Sequence, residues 1–126
     1  MEGMLELTFM SGPRDGEKVH IHLKNGLREI LIGRTEECDL CCPSDHELSR
    51  RHARLFQKGN NTWQLEDLHS TNGTYLGEFK NAWRIGEPVT LNYNEIFRVG
   101  RTCLRLEPPN TNEMNISAQA YAKIEF

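Results

Sequence analysis

Three short segments of this 126-residue chain carry side chains that could converge on one anion. They are Gly33-Arg34, Ser49-Arg50-Arg51-His52 and Ser70-Thr71-Asn72-Gly73-Thr74. Arg34 offers a planar fork of donors that matches two oxygens of a phosphate at once. Ser49 and Thr71 offer hydroxyls, and Arg50 adds a main-chain donor and a second positive charge. Asn72 has both a donor and an acceptor, as bonding to a peptide main chain requires. Gly73 allows a positive φ that tightens the turn and orients its neighbours. No nucleophile here has an activating base, so the set is suited to holding a group, not transforming it.

Each segment has a plainer reading when taken alone. A Gly-Arg pair at a strand end is usually a solvated arginine. Ser-Arg-Arg-His is usually a charged turn, and Asn-Gly is usually a hairpin turn. A hydrolytic triad of Ser49, His52 and Asp67 is disfavoured, because Ser49 lacks the glycines of a nucleophile elbow and two arginines disfavour a protonated imidazole. Cys38-x-x-Cys41, with Cys42 and His46 just beyond, has the spacing of zinc ligands, but the second ligand pair is missing. Buried cysteine as a small hydrophobe is the commoner case. The sequence therefore predicts no catalytic residue, no metal ligand and no cofactor.

The elements that must position these residues have a period of two. Leu5, Leu7 and Phe9 alternate with polar neighbours, as do Val19, Ile21 and Leu23, then Ala53 and Leu55, then Trp63 and Leu65, then Leu104 and Leu106. Such alternation marks strands with one buried face. Ile30-Leu31-Ile32 is an unbroken apolar run, which predicts burial on both faces. Turn signals at Ser11-Gly12-Pro13, Asp15-Gly16, Asn25-Gly26, Gly59-Asn60-Asn61, Asn72-Gly73, Gly86-Glu87-Pro88 and Asn92-Tyr93-Asn94 punctuate the runs. Many short strands with frequent turns predict an antiparallel sandwich or barrel. Each candidate segment then lies on a loop at a strand end, where binding residues concentrate.

Composition sets the outer bounds. Fifteen Lys and Arg against eighteen Asp and Glu give a formal charge of −3, with 37% hydrophobic residues. That supports one modest core and argues against general nucleic-acid binding, which needs a basic face. No run approaches the roughly 20 apolar residues of a membrane span, and the first ten residues alternate and do not form a secretory core. The expectation is a cytoplasmic protein (nuclear in a eukaryote) with thiol cysteines. Pro108-Pro109 closes the strand-rich part, so residues 1–107 are expected to form the domain and 108–126 a tail or linker. Residues 117–125 read as a short helix, which at that length needs something to dock against.

In order and spacing, Gly33-Arg34, Ser49-x-x-His52 and Asn72-Gly73 resemble the signature of the forkhead-associated (FHA) domain family. Ile85-Gly86 and Asn94 to Gly100 look like that family's later strands, and the resemblance covers about residues 3–107. It implies an all-β, SMAD/FHA-like sandwich of about eleven strands whose loops at one end bind phosphothreonine peptides. By this resemblance Arg34 and Ser49 bind the phosphate, Arg50 assists, Thr71 adds a hydroxyl and Asn72 holds the peptide backbone. Gly33, His52 and Gly73 support the site. The implied partner is a phosphothreonine-containing protein in signalling or assembly, with no direct role for nucleic acid or membrane and with an effector domain often fused. The loop Thr35–Leu48, with Glu36, Glu37, Asp45 and Glu47, would face the flanking residues and favour a basic one. The alternatives are a phosphate-independent interaction or oligomerisation domain regulating a fused effector, and a small zinc-binding module.

Overall fold

The alternating runs become strands in the computed structural model, which describes residues 4–23, 28–59 and 62–109. In chain order the strands are β1 (Met4–Phe9), β2 (Lys18–His22), β3 (Glu29–Gly33), β4 (Leu40–Cys41), β5 (Ala53–Lys58) and β6 (Thr62–Asp67), followed by β7 (Thr74–Leu76), β8 (Trp83–Arg84), β9 (Val89–Leu91), β10 (Ile96–Val99) and β11 (Thr102–Leu106). They form a six-stranded sheet, β2-β1-β11-β10-β7-β8, and a five-stranded sheet, β4-β3-β5-β6-β9. Every pairing is antiparallel except β3 with β4. The fold is the expected β-sandwich. The turns at Asn25-Gly26 and Asn60-Asn61 and the helix at 117–125 lie outside the described residues.

The alternation decides which face is buried. Leu5, Leu7 and Phe9 of β1, Leu55 of β5, Trp63 and Leu65 of β6, and Leu104 and Leu106 of β11 all enter one core. At roughly 25 cal/mol per Å² of apolar surface removed from water, these side chains are the main force holding the sheets together. β3 corrects one expectation. Ile30 and Ile32 are buried, but Leu31 is only half-buried because β3 presents one face to the core like its neighbours. Three consecutive apolar residues were too short a run to separate the two cases.

Register explains where the loops meet. Ile32 of β3 lies opposite Ala53 of β5, and Ala53 lies opposite Asp67 of β6. Val99 of β10 lies opposite both Thr74 of β7 and Thr102 of β11. The end of β3, the start of β5, the end of β6 and the start of β7 therefore share one end of the sandwich. The three candidate segments leave from those strand ends.

Candidate functional site

The site is built on backbone hydrogen bonds between loops. The Arg34 N–H donates to the carbonyls of Ser49 (3.0 Å) and Arg50 (3.1 Å). The Thr35 hydroxyl and the Cys38 thiol also donate to the Arg50 carbonyl, at 3.2 and 3.1 Å. Gly33 makes this approach possible: a Cβ there would collide with the Arg50 carbonyl oxygen and lie 2.6 Å from the Cys38 sulfur. The glycine is required for closeness, not for its φ.

His52 is the internal brace. It is fully buried, and its Nδ1 accepts the Ser49 N–H at 3.0 Å while its Nε2 lies 2.9 Å from the Gly73 carbonyl. Nδ1 as acceptor leaves Nε2 to carry the proton, so a neutral imidazole satisfies both bonds. Burial holds the His52 pKa below its usual value, against the raising effects of the Gly73 carbonyl, Asp67 and Asp45. One ring thereby fixes the distance between the second and third segments.

Beneath the third segment is a polar knot. The Ser70 hydroxyl donates to Asp67 Oδ1 (2.5 Å) and accepts the Gly73 N–H (2.9 Å), and the Thr74 hydroxyl donates to Asp67 Oδ1 at 2.7 Å. Burial raises the Asp67 pKa, but these hydroxyl bonds outweigh it and hold the carboxyl below its ordinary range. Gly73 has φ +86°, which a side chain tolerates poorly, and a Cβ there would sit 2.5 Å from Arg84 Nε. In the sequence Asp67 stands out only as the third member of a disfavoured triad, and this bracing role is not evident there. The signal was Asp67-x-x-Ser70, an acid three residues before a hydroxyl at a turn.

The outward-facing groups follow from this frame. Arg34 donates Nε to the Leu48 carbonyl at 3.0 Å, and its terminal nitrogens make no hydrogen bond among the described residues. The Ser49 Oγ accepts the Thr71 N–H at 3.0 Å, which leaves the serine O–H to donate elsewhere. Asn72 is exposed, and its Nδ2 donates to the Glu47 carbonyl at 2.9 Å, which orients the amide and leaves Oδ1 as an acceptor. Thr71 and Arg50 are exposed. The structure thus brings Arg34, Ser49, Thr71 and Asn72 to one end on bonded loops, with Arg50 beside them.

Two rival chemistries find different arrangements. The His52 ring contacts the Ser49 backbone N–H and the Gly73 carbonyl, while the Ser49 hydroxyl is engaged by Thr71. Among the described residues, no three His, Cys, Asp or Glu side chains are grouped to hold a metal. Cys41 donates to the Arg34 carbonyl, and burial pushes the Cys42 thiol up to about 11, far from thiolate. In the loop 35–48, Asp45 faces inward and not toward a ligand. It is buried and accepts from the Glu47 and Arg101 N–H groups and the Thr102 hydroxyl.

A two-sheet sandwich carrying an oriented set of anion donors on the loops of one end defines a loop-built recognition domain. The profile of the FHA domain family matches residues 30–100, and the chain belongs to that family. It is 39% identical over 103 residues to the FHA domain-containing protein FhaB of Mycolicibacterium smegmatis, covering 82% of this chain and 60% of that protein. The chain thus spans less than two thirds of that relative's length. In fold it matches the FHA domain of CT664 from Chlamydia trachomatis, with TM-score 0.69 and 24% identity over 86% of this chain and 99% of that one. It also matches Mycobacterium tuberculosis EmbR in complex with a low-affinity phosphopeptide, with TM-score 0.66 and 22% identity over 85% of this chain and 25% of that one. No helix among the described residues is long and apolar enough to cross a membrane.

Proposed function

We propose that this chain binds phosphothreonine peptides through Arg34, Ser49, Arg50, Thr71 and Asn72, and that it acts by recognition rather than catalysis. The observation that carries this reading is the state of Arg34. Its Nε is held by the Leu48 carbonyl, so the guanidinium has a fixed aim and two terminal nitrogens left for an oxyanion. The free O–H of Ser49 and the acceptor of Asn72 extend the same surface. EmbR, a quarter of whose chain matches this fold, is known in complex with a phosphopeptide, which supports the ligand class.

Each residue then has a role. Arg34 and Ser49 take phosphate oxygens through charge-assisted bonds. Arg50 adds charge from the rim, Thr71 adds a hydroxyl, and Asn72 bonds the peptide main chain. Gly33, His52 and Gly73 hold the loops at working distance. The folded unit extends over residues 1–107, and the partner is a phosphorylated protein met in signalling or assembly. Ordering an extended peptide offsets much of the contact energy, so affinity is on the order of micromolar.

The test is a calorimetric titration of one peptide in phosphothreonine, phosphoserine and unphosphorylated forms. The phosphothreonine form binds most tightly, the unphosphorylated form not measurably, and Arg34→Ala weakens the phosphothreonine form by about ten- to a hundredfold. Equal affinity for all three forms would instead favour a phosphate-independent interaction domain.

A further inference from the structure

Arg84 lies outside all three sequence segments, yet it reaches the site. It is one of the two residues of β8, the edge strand paired with β7, where it stands opposite Tyr75. Its side chain lies across the bare face of Gly73, since a methyl there would sit 2.5 Å from Nε, 2.9 Å from Cζ and 3.1 Å from Cδ. That places an arginine beside Asn72, the residue assigned to the peptide main chain. Arg84 is exposed, and no described carboxylate forms an ion pair with it.

The charges around it are unbalanced. Arg51 and Arg101 each meet an acid, Glu37 and Glu47, at 4.0 Å. Asp45 is committed to backbone and hydroxyl donors inside the loop. Arg34, Arg50 and Arg84 have no such partner among the described residues. One phosphate accounts for Arg34 and Arg50. Arg84, lying over Gly73 next to Asn72 in the chain, is left over.

We propose that Arg84 is a specificity-determining residue that takes a second anion of the ligand, carried by a residue close to the phosphorylated one on the Asn72 side. This rests on the phosphopeptide reading above. An extended peptide advances about 3.3 Å per residue and alternates its side chains, so a residue near the anchor passes over Gly73 and meets the guanidinium. The anion is a carboxylate or a second phosphate, both of which suit a planar fork of donors. A basic flanking residue would meet an uncompensated arginine, contrary to the preference expected from the acidic loop. Gly73 has two roles in this arrangement: it takes the positive φ, and it leaves the room in which Arg84 lies.

The test uses a phosphothreonine peptide with alanine flanks. Glutamate, and separately phosphoserine, is placed in turn at each of the flanking positions, and affinities are measured by fluorescence anisotropy for the unmutated chain, Arg84→Ala and Arg84→Gln. An exposed ion pair of this kind changes affinity by about two- to fivefold. The expected result is one or two positions where glutamate tightens binding by that factor, more strongly for phosphoserine, with the gain absent in both variants. Binding of the alanine-flanked peptide stays unchanged in the variants. Indifference of the unmutated chain to both anions at every position, or a preference that survives in both variants, overturns the proposal. So does an equal loss for alanine-flanked and glutamate-bearing peptides, which would make Arg84 a structural support. Failure of the alanine-flanked phosphopeptide to outbind its unphosphorylated twin is the separate outcome that removes the phosphopeptide reading itself.

Discussion

At the scale of single residues, geometry separates side chains with donors to spare from side chains used entirely inside the protein. The side chains of Arg34 and Ser49 each make one bond into the protein and have donors left over. His52 has none left over, because both ring nitrogens are used inside the protein. Arg34→Ala is therefore expected to weaken phosphopeptide binding by about ten- to a hundredfold. Arg34→Lys should recover only part of that loss, because lysine keeps the charge without the fork. Calorimetry on both variants checks the order, and equal affinities for lysine and arginine would refute the bidentate contact. For His52 the observable is pH. Its folded pKa lies below its unfolded value, so the native state binds fewer protons. The stability it contributes is complete above the unfolded value of about 6.5 and is lost as pH falls from there through the folded value. Melting temperature should drop over that window, with a shallower slope in His52→Gln. An identical slope in the variant would assign the effect to other groups.

At the scale of elements, the site depends on strand ends approaching closely, and Gly33 is where β3 meets the second loop. A methyl group there is forced into the Arg50 carbonyl, which cannot move without also disturbing its bonds to Arg34, Thr35 and Cys38. Gly33→Ala should cost about 1–3 kcal/mol, as overpacking does, lowering the melting temperature by roughly 4–8 °C per kcal/mol. Gly86→Ala is the matched control, since nothing lies within 4 Å of a Cβ at Gly86. Circular dichroism melts of the two variants decide the point, and a pair of equal shifts would show the close approach to be unimportant. This scale also shows what the sequence could carry. Period-two alternation announced the strands through Leu5, Leu7, Phe9, Leu55 and Leu65, and the order of the three motifs announced the loops. Leu31 departs from the expected burial on both faces because periodicity needs a longer run than three residues to separate one buried face from two. The Asp67-Ser70-Thr74 knot and the inward turn of Asp45 were hidden because a side chain's direction in a loop depends on partners distant in sequence, as Thr102 is from Asp45. Arg84 was hidden for the same reason, because only the β7–β8 pairing brings it over Gly73.

At the scale of the whole molecule, the net charge conceals where arginines lack an acid partner. The chain carries −3 overall, and the loops hold Glu36, Glu37, Asp45 and Glu47 beside their arginines, but only Arg51 and Arg101 face an acid, while Arg34, Arg50 and Arg84 form a rim with no ion-pair partner among the described residues. A phosphopeptide approaching from afar meets a mildly repulsive body, and only near the loops an attractive rim. The Debye length decides which it senses, about 30 Å at 0.01 M salt and about 10 Å at 0.1 M. Below roughly 0.1 M, lowering the salt strengthens both the attraction of the rim and the repulsion of the body, so affinity should change little. Above that concentration only the rim is felt, and further salt screens it. Affinity is then expected to fall by about three- to tenfold between roughly 0.1 and 1 M sodium chloride, since exposed ion pairs are the ones screened. Arg34→Ala should flatten this dependence more than Arg101→Ala, because Arg101 already faces Glu47. Anisotropy titrations across a salt series measure both slopes. A phosphopeptide affinity indifferent to salt over the upper range would mean that binding rests on main-chain and apolar contacts, and that the arginine rim has another use.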